Sequence, residues 1–284
     1  MAKQSTAVAP QKGNANLPAE FLNQVAADAG LGAENATAED MTVPLIKIAQ
    51  ALSPEVNKRE ATYIQGLEVG DFFNSATQKV WKGDVGFDAI PVYFERKYLQ
   101  WTPRDKGGGF GGEHDASIMD KTTAGEKGEN YLDNGDEIVI TGTWYFIIPD
   151  DETGDVDQAV VSLSKTQLKK SKQLMTKLRT LLLNGPNGKF NPPLFYSKVK
   201  VTSVPESNDQ GNWMGWKFEL NGNVFELKEG KEIYEMSKGL MEAVRSGKVK
   251  AATEAPSDDA GGGGGKDIDH DGAGGTAADK EIPF

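Results

Sequence analysis

The sequence predicts a mainly β protein with added helices: an OB-fold, a five-stranded Greek-key barrel. It adds a long strand 1–2 loop, a helix between strands 3 and 4, a C-terminal helix and disordered tails. Three observations predict this. Five segments carry strand patterning, and with one intervening helix their order is strand, strand, strand, helix, strand, strand. The stretch between the first two strands, residues 105–134, is polar and glycine-rich. Both chain ends hold too few large apolar side chains to offset the entropy of ordering. The domain reading is therefore a disordered segment at 1–40, an OB-fold at 41–250 and a disordered acidic tail at 251–284, which includes the run Gly261–Gly265.

Residues 42–52, TVPLIKIAQAL, read as a short amphipathic segment on the core, and residues 62–74 as short strands or a turn. The first strand is FDAIPVYFERKYLQWTPR, 87–104. Ile90, Val92 and Phe94 share a face; Arg96 and Tyr98 then fall in the same phase, which predicts a bulge or bend near Glu95. The second strand is 135–149, with Ile138, Ile140, Trp144, Phe146 and Ile148 toward the core and Gly142 as a bend. DDETGD, 150–155, is a hairpin turn into the third strand at 158–164.

A helix follows over 164–183, with Ser164 as N-cap. Leu168, Met175, Leu178 and Leu182 repeat at helical spacing, and Lys165, Lys169, Lys172 and Arg179 take another face. The segment NGPNG stops it. Strands four (194–204) and five (212–220) and a helix at 231–248 complete the domain.

The formal charge of −11 is unevenly placed. From Glu254 onward there are eight acids against two lysines, and the remaining chain carries 34 acids against 29 cations. Between Asp157 and Glu206 there is no acid and there are nine cations. Local potential decides where a polyanion binds, so this block marks a candidate site inside an acidic protein.

Strand four alternates. Phe195, Val199 and Val201 take one face; Tyr196, Lys198 and Lys200 take the other. Unpaired nucleic acid needs this combination of rings for bases and cations for phosphates. Strand five directs Met214, Trp216, Phe218 and Leu220 inward, which leaves Trp213 and Lys217 outward. Strand one adds Arg96, Lys97, Tyr98, Trp101 and Arg104; strand two adds Tyr145, opposite in phase to Trp144; the helix adds Lys169 and Lys172. The bland reading of each is a capped core or a solvated lysine face. Phe110, in the long loop, is a further stacking candidate.

Other motifs carry less. Gly107, Gly109 and Gly112 satisfy G-x-G-x-x-G, yet no helix follows. GPNG at 185–188 does not lie between two helices, so a helix stop is the better reading than a KH-type loop. Asp267, Asp269, Asp271 and Gly272 begin like a calcium loop, but Ala278 stands where the bidentate acid belongs. With no cysteine, and with His114 and His270 both in loops, no catalytic or metal constellation is legible. A non-enzymatic protein without a cofactor is expected. The absent cysteines, and the lack of any apolar run near the roughly 20 residues that span a bilayer, point to a soluble cytoplasmic protein.

The chain ends in Asp279, Lys280, Glu281, Ile282, Pro283 and Phe284. A flexible acidic tail can occupy a basic groove until DNA displaces it, and its apolar tip can fill a pocket on another protein. This ending resembles that of single-stranded DNA-binding proteins of bacteria and their phages, in which an OB-fold precedes a glycine-rich linker and an acidic tip such as Asp-Asp-Asp-Ile-Pro-Phe. Lys280 departs from the all-acidic form. The resemblance implies sequence-nonspecific coating of ssDNA during replication, recombination and repair. It also implies tip contacts with polymerase, primase-helicase or recombination factors, in the host cytoplasm for a phage protein. No membrane partner is implied, and a homo-oligomer is left open. The alternative is a replisome adaptor with an OB-like domain and little DNA binding of its own; a nuclease hidden among the acids is the third reading.

Overall fold

The computed structural model describes residues 18–28, 31–32, 34, 42–126, 128–150, 154–208 and 211–251. In chain order its elements are α1 (Ala19–Ala27), β1 (Thr42–Val43), β2 (Ile46–Ile48), β3 (Phe72–Asn74), β4 (Val80–Trp81), β5 (Phe87–Thr102), β6 (Gly109–His114), β7 (Thr123–Ala124), β8 (Asn130–Tyr131), β9 (Glu137–Pro149), β10 (Val156–Ser164), α2 (Leu168–Thr180), β11 (Leu183–Gly185), β12 (Gly188–Phe190), β13 (Ser197–Asn208), β14 (Gly211–Asn223), α3 (Gly230–Arg245) and β15 (Lys250–Ala251).

The five predicted strands are β5, β9, β10, β13 and β14. They form one curled antiparallel sheet in the order β14-β13-β5-β9-β10. β9 and β10 pair antiparallel from Pro149 opposite Val156, and residues 151–153 of the predicted hairpin turn lie outside the described residues. β13 returns from the long connection to lie beside the start of β5, with Val199 opposite Ala89. The first four strands thus stand in the spatial order 4-1-2-3 of a Greek key.

A register shift between Pro91 and Tyr93 puts the bulge of β5 slightly ahead of the predicted position near Glu95. It also splits the predicted Ile90–Val92–Phe94 face. Ile90 and Val92 join one core and Phe94 packs on the other.

Each face of the sheet carries a buried cluster. The inner cluster gathers Phe72, Phe87, Trp144, Phe146, Val161, Leu163, Leu174, Leu178, Val199, Trp216 and Phe218. The outer cluster gathers Ile90, Val92, Tyr145, Ile147 and Val160 under Ile233, Leu240 and Val244 of α3. Ile233, Ser237, Leu240 and Val244 recur at the spacing of one helical stripe, which is why α3 lies on the sheet.

No ladder joins β10 to β14 among the described residues. Side chains satisfy the β14 edge instead. Gln50 Nε2 donates to the Met214 carbonyl and Gln50 Oε1 accepts from the Met214 N–H, both at 2.9 Å. Gln167 Oε1 accepts from Trp216 N at 3.0 Å, and Lys177 Nζ donates to the Phe218 carbonyl at 2.8 Å. On β10, Val160 N donates to the Pro44 carbonyl at 2.8 Å. α2 fills the gap, its Leu174 and Leu178 buried in the inner cluster.

Several expectations need correction. Gly142 is no bend, because β9 runs through it unbroken. A Cβ there would lie 2.4 Å from Ser171 Oγ, so glycine lets α2 approach. Trp144 Nε1 donates to that same Ser171 Oγ at 2.8 Å. The helix begins after a 3-10 turn, Lys165–Gln167, and Ser164 caps that turn without a side-chain hydrogen bond. It ends at Thr180, leaving Leu182 57% exposed. Asn191 Nδ2 donates to the carbonyls of Leu178, Arg179 and Leu181 and so closes the helix end. The segment 105–134 is no open loop, since β6 pairs with the second half of β5 and β7 with β8. Strand four starts only at Ser197, because Leu194–Tyr196 forms a 3-10 turn after Pro193. α1 lies within the expected disordered segment, with Phe21 and Val25 exposed.

Candidate nucleic-acid interface

The acid-free block contributes to two neighbouring surfaces, each shared with β14. α2 carries Lys169, Lys170, Lys172, Lys177 and Arg179 and no acid. At about 100° per residue, Lys170, Gln173 and Lys177 fall on the flank toward β14. There, with Leu174, Lys217, Phe218 and Glu219, they line a groove between helix and strand. Lys169, Lys172 and Arg179 are exposed on the solvent side of the helix.

The second surface is the outer face of the β13–β14 ribbon. Val199, Val201, Trp216 and Phe218 point into the inner cluster, so strand alternation turns Lys198, Lys200, Lys217 and Glu219 the other way. Lys200 stands directly opposite Glu219, and Thr202 opposite Lys217. Lys217 Nζ lies 2.8 Å from Glu219 Oε2 and holds that carboxyl below the usual carboxylate range. Lys198 is only 13% exposed and sits 3.5 Å from Asp88 and 3.9 Å from Glu226.

Rings mark both ends of this band. At one end the half-buried Tyr196 ring lies 6.4 Å from Phe225, which is 54% exposed and in turn 5.2 Å from Tyr234. At the other end Trp213 stands opposite Glu206, and its Nε1 donates to Glu206 Oε2 at 3.0 Å. Gln167 Nε2 donates to the same oxygen at 2.7 Å, and Lys170 Nζ is 2.7 Å from Oε1. Burial pushes the Glu206 carboxyl up, but these three donors outweigh it and hold it below the usual range. The indole is therefore fixed by one edge.

Chemically, the band offers anchored rings and ammonium groups on a common ribbon face. Several of its cations are partly neutralised by acids on the same face. Tyr196, Lys198, Lys200, Trp213 and Lys217 are brought together, with Lys169 and Lys172 on the helix beyond the groove. Phe225, Lys170 and Lys177 were not among the predicted residues. The signal for Lys170 and Lys177 was the helix flank facing strand five, and for Phe225 its place directly after that strand.

The residues of β5 lie elsewhere, on the limb where β6 replaces β13 as neighbour. Arg96 is exposed opposite Gly142, and Tyr98 is half-buried opposite Ile140. Lys97 is paired with Glu113 at 3.0 Å and Glu95 at 3.7 Å. Arg104 lies in the 3-10 turn Arg104–Lys106.

Two expected stacking platforms are not exposed. Trp101 is 6% exposed and packs with Leu99, Val139 and Phe110. Tyr145 is 1% exposed in the outer cluster. Its hydroxyl donates to Glu95 Oε2 at 3.2 Å, and burial pushes its pKa up. The reason is the same in kind for both: a second layer covers the face that alternation alone leaves open. For Tyr145 that layer is the one headed by α3. The tip residues Asp279, Glu281, Ile282, Pro283 and Phe284 lie outside the described residues, as do the calcium-like acids. No described helix is long and apolar enough to cross a membrane.

Neither the curated proteins nor the solved structures contain a match to this chain. The model of one family, described as Pam3 phage gp34-like protein, matches residues 11–250.

Proposed function

The chain therefore belongs to the Pam3 phage gp34-like family, and from that premise we propose a phage protein that binds single-stranded DNA without sequence preference. It coats ssDNA during replication, recombination or repair in the host cytoplasm and recruits replication proteins through its C-terminal tip. The observation that carries this reading is the β13–β14 band. It has rings at both ends, Lys198, Lys200 and Lys217 between them, and the acid-free helix α2 alongside. Stacking contributes roughly 1–3 kcal/mol per base and tolerates any sequence.

The pairing order of the five long strands supports an OB-type barrel, left open between its third and fifth strands. OB-folds commonly bind oligonucleotides on strands 2 and 3. Here the outer side of those strands is buried in a cluster with Val43, Leu45 and residues of α3, so we assign the DNA path to strands 4 and 5 and the adjoining helix.

The test is a titration of the full chain with oligo(dT), read by tryptophan quenching and gel shift at two salt concentrations. The expected log–log salt slope is about −3, for roughly four phosphate contacts. Absence of binding at low salt would sink the reading. Deleting residues 252–284 is expected to tighten binding, because the acidic tail competes with phosphates for the same cations.

One observation favours the adaptor reading. Lys97, Lys170, Lys198 and Lys217 all have acid partners. Pull-down of replication proteins that survives nuclease treatment, together with absent oligo(dT) binding, would decide for it.

A further inference from the structure

Between Lys106 and Glu113 the chain reads Gly-Gly-Gly-Phe-Gly-Gly. Phe110 is the one side chain in six residues. Both flanks are tied: Lys106 Nζ donates to the Asn134 carbonyl at 3.3 Å, and Glu113 meets Lys97 at 3.0 Å. His114 Nε2 lies 2.7 Å from Gln100 Oε1. Gly107, Gly108, Gly109 and Gly112 have left-handed φ. From Gly109 on, the span also pairs with β5, Phe110 opposite Trp101, so lifting it breaks that short ladder. But glycine loses the most backbone entropy on ordering, which makes the span costly to hold down with little side-chain surface to offset that cost.

What Phe110 covers is unusual. Its ring lies 5.1 Å from that of Trp101, over the apolar patch of Leu99 and Val139. Trp101 Nε1 is buried there and has no hydrogen-bond partner among the described residues. A buried donor without an acceptor costs stability that a ligand acceptor would recover. Phe110 supplies a ring and no acceptor.

We propose that residues 107–112 form a flap and that Phe110 holds the place of an unpaired pyrimidine base of single-stranded DNA. When the flap lifts between its two tied ends, the base lies against Leu99, Trp101 and Val139. Its carbonyl oxygen then accepts from Trp101 Nε1. A pyrimidine has close to the footprint of the phenyl ring it replaces and adds the missing acceptor. This subsite rests on the ssDNA-binding reading above and lies on the β5–β6 limb, apart from the β13–β14 band.

The experiment compares full-length wild type, Trp101→Phe and Phe110→Ala in oligo(dT) titrations, with circular dichroism and urea midpoints as checks on folding. Trp101→Phe keeps an aromatic ring and removes the N–H; it is expected to weaken binding roughly fivefold, the worth of about one hydrogen bond. Phe110→Ala removes the competing ring; it is expected to tighten binding severalfold and to open Trp101 to acrylamide without DNA. Wild-type binding with any other pattern in the variants overturns the subsite and leaves the ssDNA reading standing. No oligo(dT) binding by wild type overturns both.

Discussion

Gln50 holds both backbone groups of Met214, donating to the carbonyl and accepting from the N–H at 2.9 Å each. One carboxamide thus takes the place of a paired strand residue on an edge with no ladder partner among the described residues. Gln50→Ala is expected to destabilise the protein by about 1–3 kcal/mol, because both groups stay partly buried and lose their partner. Gln50→Glu, which can accept but at neutral pH cannot donate, is expected to cost at least as much. Urea denaturation measures both; an unchanged midpoint would show that water serves this edge equally well.

Ser171 joins α2 to β9 through Trp144 Nε1 at 2.8 Å, at the point where Gly142 admits the helix. Ser171→Ala is expected to cost about 1–3 kcal/mol, since it strands a buried N–H. Gly142→Ala is expected to cost about the same by overpacking. The added methyl meets Ser171 Oγ, so the double variant is expected to lose less than the sum. A double-mutant cycle in urea reads the coupling; strict additivity would mean that the two positions do not share a contact.

The strands and the long helices were legible because each carries its own period. Phe87, Ala89, Ile90 and Val92 declare a strand, and the intrusion of Arg96 and Tyr98 declares a change of phase. What periodicity cannot reveal is a second layer. Tyr145 and Trp144 alternate as outward and inward residues would, yet both are buried, because Val43 and Leu45 from far upstream and α3 from far downstream join the cluster on the outer face. The same limit hid Trp101, which is covered by a segment whose glycines have no period at all. Nor does pattern name the side chains that replace a missing ladder. Gln50 and Gln167 look like surface residues until the edge of β14 is placed beside them. Of the candidate site, strand alternation put Lys198, Lys200, Trp213 and Lys217 on one face; it gave no sign of Asp88 and Glu226, the acid partners of Lys198, which come from other segments.

The Glu206 carboxylate gathers Gln167, Lys170 and Trp213. Its pKa is depressed in the folded state, so its contribution to stability is present above the ordinary carboxylate value of 4.5 and is lost as pH falls below that. Wild type is therefore expected to lose more stability between pH 7 and pH 4 than Glu206→Gln, which has no charge to lose at this position. The urea midpoint of each protein at the two pH values gives the difference. Equal losses would mean that the cluster is not coupled to folding.

Glu219 lies across the strand pair from Lys200 and 2.8 Å from Lys217, so it competes with phosphate for two cations of the band. Exposed ion pairs contribute little to stability, so Glu219→Gln should leave the urea midpoint nearly unchanged. Binding is expected to respond more strongly. Freeing one lysine adds about one phosphate contact and steepens the log–log salt slope for oligo(dT) by roughly 0.7. Lys200→Ala is expected to shift the slope by the same amount in the opposite direction. Parallel salt titrations of the two variants measure this. If both slopes match wild type while the proteins still bind, the DNA runs over another surface, and the limb carrying Arg96 and Tyr98 becomes the next place to substitute.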